Sequence, residues 1–185
     1  MSLKEKALIL DKAGIDRALT RIAHEILEKN KGAKDLVLVG IQRGGVHLAK
    51  RLAARIKEIE GVEPPVGSLD ITMYRDDLST RKSQPVPQAT DIAFDIQDKM
   101  MVLVDDVLFT GRTIRAAIDA LLDLGRPSRV ELAVLIDRGQ RELPICADYI
   151  GKTLEISKQD SVHVELKELA GVDQVVIEYG KFPQP

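Results

Sequence analysis

Between residues 11 and 29, Ile15, Leu19, Ile22 and Ile26 recur at steps of three and four. That spacing predicts a helix with one apolar stripe. Residues 36–41 (LVLVGI) form a continuous apolar run, as a strand buried on both faces does. Residues 46–59 return to a helical period, with Leu52, Ala53, Ile56 and Ile59 inward and Gly61 just past the end. Leu69, Ile71 and Met73 alternate with polar residues and predict a short strand. Residues 75–88 have little to bury and read as a long exposed loop. A buried strand over 100–104, a helix over 114–124 and a strand over 130–136 follow. Residues 148–154, 162–166 and 175–179 read as short strands.

Apolar strands alternating with amphipathic helices predict an α/β fold. Its core is a mainly parallel twisted sheet flanked by helices on both faces, with a small hood of short strands. The 185 residues fit one domain over 1–180 and a loose tail over 181–185. A net charge of −2 gives no global nucleic-acid signal, so any such surface has to be a local patch. With no Trp, three Phe and three Tyr, a base-stacking platform is not expected. Cys146 is the sole cysteine and is expected to be a small core residue; no internal disulfide can form, and a reducing cytoplasm fits. No apolar run approaches membrane-spanning length.

The chemistry concentrates in Val102-Leu103-Val104-Asp105-Asp106-Val107-Leu108-Phe109-Thr110-Gly111-Arg112-Thr113. An apolar strand delivers two adjacent carboxylates to its carboxyl end. A hydroxyl-and-glycine turn then opens a helix. Free N–H groups and the positive end of the helix dipole converge there and make an anion cradle. The cradle suits a phosphate, and the carboxylates suit vicinal hydroxyls; a phosphorylated ribose offers both. The string is neither a P-loop (G-x-x-x-x-G-K-[ST]) nor a dinucleotide fingerprint (G-x-G-x-x-G), and neither occurs in the chain. A helix start needs one capping residue, so paired aspartates with two threonines and an arginine exceed that need.

Gln42-Arg43-Gly44-Gly45 follows the 36–41 strand and precedes a helix. Its glycines allow close approach of N–H groups to an anion, and Arg43 adds a fork of donors matched to phosphate oxygens. In a parallel sheet this loop and the cradle open at the same edge. Ile136-Asp137-Arg138-Gly139 ends another strand there. Arg138 either faces a ligand or pairs with Asp137 or Glu142.

The 102–113 string resembles the signature of the type I phosphoribosyltransferases, which use phosphoribosyl pyrophosphate (PRPP). That resemblance implies that Asp105 and Asp106 hold the ribose hydroxyls, that the Thr110–Thr113 turn holds the 5′-phosphate, and that Gln42, Arg43 and Gly44 receive the pyrophosphate. Magnesium would come with PRPP. The 75–88 loop would be a lid, with Arg75, Arg81 and Lys82 as closing cations. Arg138 and backbone near Val162 would meet the base.

Four strings, ALTRIAHEI (18–26), LDITMYRDDLS (69–79), VLVDDVLFTGRT (102–113) and LIDRGQRELPI (135–145), together resemble the PyrR family. These are bacterial pyrimidine operon attenuation regulators that are also uracil phosphoribosyltransferases. The resemblance implies conversion of uracil and PRPP to UMP and pyrophosphate, UMP-dependent binding of pyrimidine-operon leader mRNA, and a homodimer or larger homo-oligomer. On the first helix Arg17, Thr20, Arg21, His24 and Glu28 fall opposite the apolar stripe. The family places its RNA-binding surface at the positions of Thr20, His24 and Arg141, and Arg21 shares that helix face. Cys146 stands where the family pattern has arginine, which removes one cation from such a surface. Two other readings stay open: a phosphoribosyltransferase without an RNA role, and a nucleotide-sensing regulator with little turnover.

Overall fold

The computed structural model describes residues 6–76 and 89–180. The elements are β1 (Lys6–Leu10), α1 (Lys12–Asn30), β2 (Leu36–Ile41), α2 (Gly44–Glu60), β3 (Val66–Leu69), a 3₁₀ turn (Thr72–Tyr74), β4 (Met100–Leu108), α3 (Arg112–Leu122), β5 (Arg129–Asp137), β6 (Tyr149–Thr153), β7 (Ser161–Glu165), α4 (Lys167–Ala170) and β8 (Gln174–Glu178). The expected 181–185 tail and most of the 75–88 loop, Arg81 and Lys82 included, lie outside the described residues.

Five parallel strands run in the order β3-β2-β4-β5-β6. Alternation along each strand feeds two cores. Leu36, Leu38, Val102 and Val104 pack with Leu19, Ile22, Leu48, Leu52 and Ile56 of α1 and α2. Val37, Val39, Met101 and Leu103 pack with Ile114, Ala117 and Leu121 of α3 on the other side. These strands are therefore buried on both faces and read as unbroken apolar runs. A second sheet, antiparallel in the order β1-β8-β7, is the hood. Arg51 of α2 holds it through Glu168 and Asp173, each at 2.6 Å.

α1 has the expected stripe, with Ile15, Leu19, Ile22 and Ile26 almost wholly buried. Asp11 caps it by accepting from the Gly14 N–H at 2.7 Å. Lys31, left-handed at φ 56°, ends it, with Gly32 N–H closing onto the Leu27 carbonyl.

The structure corrects five expectations. β3 ends at Leu69, and the chain turns over 72–74, so Met73 is exposed and no strand spans 69–73. Asp70 forces that turn by accepting from both the N–H and the hydroxyl of Thr72, at 2.9 and 2.6 Å. Ile59 is exposed in the last turn of α2, which Gly61 closes by donating its N–H to the Lys57 carbonyl. β4 runs on past residue 104 to Leu108 because β5 pairs with it that far. α3 starts at Arg112 and stops at Leu122, leaving Leu124 outside and exposed. Cys146 is exposed on the loop before β6, not in the core. Among the described residues, no helix is long and apolar enough to cross a membrane.

Candidate functional site

β2 and β4 are neighbours, but α2 and α3 leave them toward opposite faces of the sheet. This is a topological switch point, and a crevice opens there beyond the carboxyl ends of the strands. The 42–45 loop and the 105–112 segment form its two sides. Neither N-cap residue, Arg43 of α2 or Gly111 of α3, makes a side-chain cap bond; at α3 the Thr110 hydroxyl accepts the Arg112 N–H at 3.3 Å, and the positive ends of both helices face the crevice.

The two loops are in van der Waals contact. A Cβ on Gly44 would lie 2.5 Å from Asp106 Oδ2, and one on Gly45 would run into the Val104 carbonyl oxygen. Glycine at both positions brings the backbone of one anion loop against the carboxylate pair of the other. Gly111 takes φ +91°, which turns the end of β4 into α3. The Gln42–Arg43 peptide is cis.

Two cavities adjoin. One, of about 250 Å³, is lined by Arg75, Asp76 and the run from Val107 to Ile114. The other, of about 290 Å³, is lined by Ile41, Gln42, Arg43, Ile71, Thr72, Arg75, Asp105, Asp106, Val107 and Thr113. Arg75, Val107 and Thr113 wall both. The cradle, both aspartates, the 42–43 loop and Arg75 thus form a continuous site.

Asp105 and Asp106 lie within β4 rather than beyond its end, because pairing with β5 continues past them. Burial pushes the Asp105 carboxyl well above the usual carboxylate range, and the adjacent Asp106 adds to the shift. Burial raises Asp106 as well. Each carboxylate accepts a backbone N–H from the next residue, at 2.9 and 2.8 Å, and keeps further acceptor capacity for hydroxyls.

Arg138 is buried at 7 % exposure, with its guanidinium 3.9 Å from the centre of the Phe109 ring. It donates to the Ser157 carbonyl at 3.2 Å, and burial lowers its pKa from the usual arginine value. The surface ion pairs open to it from sequence do not form. Asp137 is held by Arg141 at 2.6 Å and Glu142 by Arg112 at 2.8 Å. Neither Arg138 nor the half-buried Val162 of β7 lines either of these two cavities; the two are linked only through the turn before β7, whose Ser157 carbonyl accepts from Arg138.

Thr20, Arg21 and His24 share an exposed face of α1. Arg21 bonds Glu25 at 2.8 Å and the Ile150 and Gly151 carbonyls at 2.9 and 2.7 Å, which ties this face to β6. Thr20 donates to the Asp16 carbonyl at 2.9 Å and accepts from Arg55 at 3.3 Å. Arg141 is turned the other way. Its guanidinium holds the carbonyls of Ile145, Phe109 and Gly139 at 2.8, 2.8 and 3.2 Å, besides Asp137. It fastens its own loop to the base of the cradle.

The sequence does not show that Asp76 and Glu142 both hold Arg112, at 2.5 and 2.8 Å. Nothing in a period of two or 3.6 joins residues 36 and 30 positions apart.

The phosphoribosyl transferase domain family matches residues 7–169. "Bifunctional protein PyrR" of Pelotomaculum thermopropionicum is 62% identical over 174 residues, covering 94% of this chain and 96% of that protein. "Bifunctional protein PyrR" of Alkaliphilus metalliredigens is 60% identical, covering 96% and 97%. Among solved structures, a hypoxanthine phosphoribosyltransferase from Staphylococcus aureus superposes with a TM-score of 0.66 at 23% identity, covering 95% of this chain and 92% of that one. The hypoxanthine phosphoribosyltransferase of Trypanosoma cruzi gives 0.70 at 17% identity, covering 94% and 97%. Those structures share the fold.

Proposed function

This chain belongs to the phosphoribosyltransferase family and, within it, to the PyrR proteins, and from that premise we propose how its residues divide the work of a uracil phosphoribosyltransferase that also regulates pyrimidine operon expression. The reaction joins uracil to the ribose C1 of PRPP and expels pyrophosphate, giving UMP. The carrying observation is the contact of Gly44 with Asp106: two loops suited to anions meet at one pair of carboxylates. PRPP has that pattern, a phosphate at each end and two hydroxyls between.

The 5′-phosphate binds the N–H groups and hydroxyls of Thr110–Thr113 at the start of α3. Asp105 and Asp106 accept from the ribose 2′ and 3′ hydroxyls, which fixes the ring. Pyrophosphate lies against the backbone of Gln42 and Gly44, with Arg43 donating to its oxygens. Charge grows on the leaving oxygens as the C1–O bond breaks, and these donors are already oriented to meet it. The sugar becomes oxocarbenium-like, so water must be kept from C1 until the uracil nitrogen arrives. Arg75, which walls both cavities, stands where closure is needed. Uracil packs along the Phe109–Arg138 wall, with Arg138 donating to a base carbonyl and backbone near Val162 reading the other edge.

Family enzymes use PRPP, typically with Mg2+. Asp105 and Asp106 offer the hard oxygen donors such an ion takes, and it would arrive with the oxygens of PRPP. Bound there, it would offset pyrophosphate charge.

For the regulatory role, the α1 face of Thr20, Arg21 and His24 contacts leader mRNA, favoured by bound UMP. Arg141 serves it by shaping the loop at the cradle, given where its bonds go. The protein acts as a homo-oligomer in the bacterial cytoplasm. Purified protein with uracil, PRPP and Mg2+ should form UMP, and a gel shift with its operon leader should strengthen with UMP. Absence of UMP formation refutes the enzymatic half, and absence of a UMP effect refutes the regulatory half.

A further inference from the structure

The phosphate cradle carries its own anion. Arg112, in the first turn of α3, lines the 250 Å³ cavity together with Asp76. Its Nη1 is 2.5 Å from Asp76 Oδ2, and its Nε is 2.8 Å from Glu142 Oε2. Two carboxylates therefore neutralise this guanidinium before any ligand phosphate meets it. They are not equivalent. Glu142 does not line the cavity, and its backbone is anchored: the N–H groups of Glu142 and Leu143 donate to the Thr110 carbonyl at 2.9 and 3.0 Å. Asp76 does line the cavity, just after the 3₁₀ turn.

A phosphate monoester at neutral pH carries about −1.5 to −2 charges. Seated at Thr110–Thr113, it shares one small cavity with the Asp76 carboxylate and competes with it for Arg112. Like charges in that space repel, and the guanidinium fork serves a phosphate at least as well as a carboxylate.

We propose that Asp76 is a built-in competitor for ligand phosphate: it holds Arg112 while the cradle is empty, and a 5′-phosphate binds by displacing it, while Glu142 keeps Arg112 in place. This rests on the cradle being the 5′-phosphate site. Its consequence is a threshold: the displacement weakens every phosphate ligand by a similar factor and leaves their ratio unchanged. Free inorganic phosphate has only the cradle to offset that cost. A nucleotide adds ribose bonds to Asp105 and Asp106 and base contacts at Arg138. Asp76 thus lowers occupancy by weakly held phosphate anions, while phosphorylated ribose still binds.

Calorimetric titration of wild type and Asp76→Asn, with UMP and inorganic phosphate as separate titrants at low ionic strength, tests this. The variant should bind both tighter by about 1.5- to fivefold, the range expected for removing one exposed charge pair. The gain should be at least as large for inorganic phosphate as for UMP, and should shrink as salt rises. Glu142→Gln should bring no such gain. Equal or weaker binding by Asp76→Asn, or an equal gain in Glu142→Gln, overturns the proposal. A Thr110→Val/Thr113→Val variant checks the underlying reading separately. If it binds UMP as wild type does, the cradle is not the phosphate site. If it loses UMP while Asp76→Asn gains nothing, only the competitor role falls.

Discussion

Gly44 and Asp106 are 62 residues apart in the chain, yet a single Cβ on the glycine would lie 2.5 Å from the aspartate's Oδ2. The 42–45 loop and the carboxylate pair of β4, proposed to hold pyrophosphate and ribose, are thereby in direct contact. Gly44→Ala must push the two apart. UMP synthesis should fall about 100-fold in kcat/KM, the scale of a displacement near 1 Å at a reacting centre. Steady-state kinetics check this, with thermal melting to show that the fold persists.

The raised Asp105 carboxyl carries a stability consequence. An unfolded aspartate titrates near 3.9. The folded group titrates higher, so between the two values the native state binds more protons than the unfolded one. Stability then falls as pH rises through that interval, and above it the buried charge is a standing cost. Asp105→Asn keeps an oxygen for the Asp106 N–H and removes that cost. The variant should melt a few degrees above wild type at pH 7.5, on the order of 1 kcal/mol. The difference should narrow as pH is lowered toward the unfolded value. Its UMP synthesis should drop about 10- to 100-fold, for loss of a charged hydrogen bond to ribose. Melting curves across pH with matched kinetics would show both.

Arg138 presses on Phe109 at 3.9 Å. Arg138→Met keeps apolar bulk on the ring and removes every donor. The kcat/KM for uracil should fall about 10- to 100-fold, while KM for PRPP stays within twofold, because a base carbonyl loses its donor. Varying each substrate in turn separates the two effects.

Arg141 and His24 should behave differently although both match the family's RNA surface. Arg141→Gln leaves Asp137, at 9 % exposure, without its cation and the Phe109 carbonyl without its donor. That should cost about 2 kcal/mol, or roughly 5 °C of melting temperature, and should lower UMP synthesis together with RNA binding. His24→Ala, on the exposed face of α1, should weaken RNA binding alone. Melting, kinetics and gel shifts on the two variants distinguish a loop organiser from a contact residue.

The central sheet was legible because its strands are buried on both faces: 36–41 is wholly apolar, and 130–136 is apolar except for Glu131, which is itself buried and held by Tyr149 and Lys29. The site was legible where it is local, in the 42–45 and 102–113 strings. β1 was missed because it is a short, half-exposed hood strand whose partner, β8, lies at the far end of the chain. The supposed strand over 69–73 failed because apolar alternation outweighed a local competitor, Asp70 bonding to Thr72, which was readable as D-x-T. Arg112 with Asp76 and Glu142, and Arg138 over Phe109, depend on how separate strands end at one sheet edge, and no local pattern encodes that.

The most direct measurement is the stoichiometry of UMP and pyrophosphate formed from uracil and PRPP by the wild type and by an Asp105→Asn/Asp106→Asn variant. The expected result is one pyrophosphate per UMP in the wild type, and loss of at least 100-fold in a variant that is folded and no less stable. Undiminished turnover in the variant, or no UMP from the wild type, would contradict the assignment of this crevice as the PRPP site.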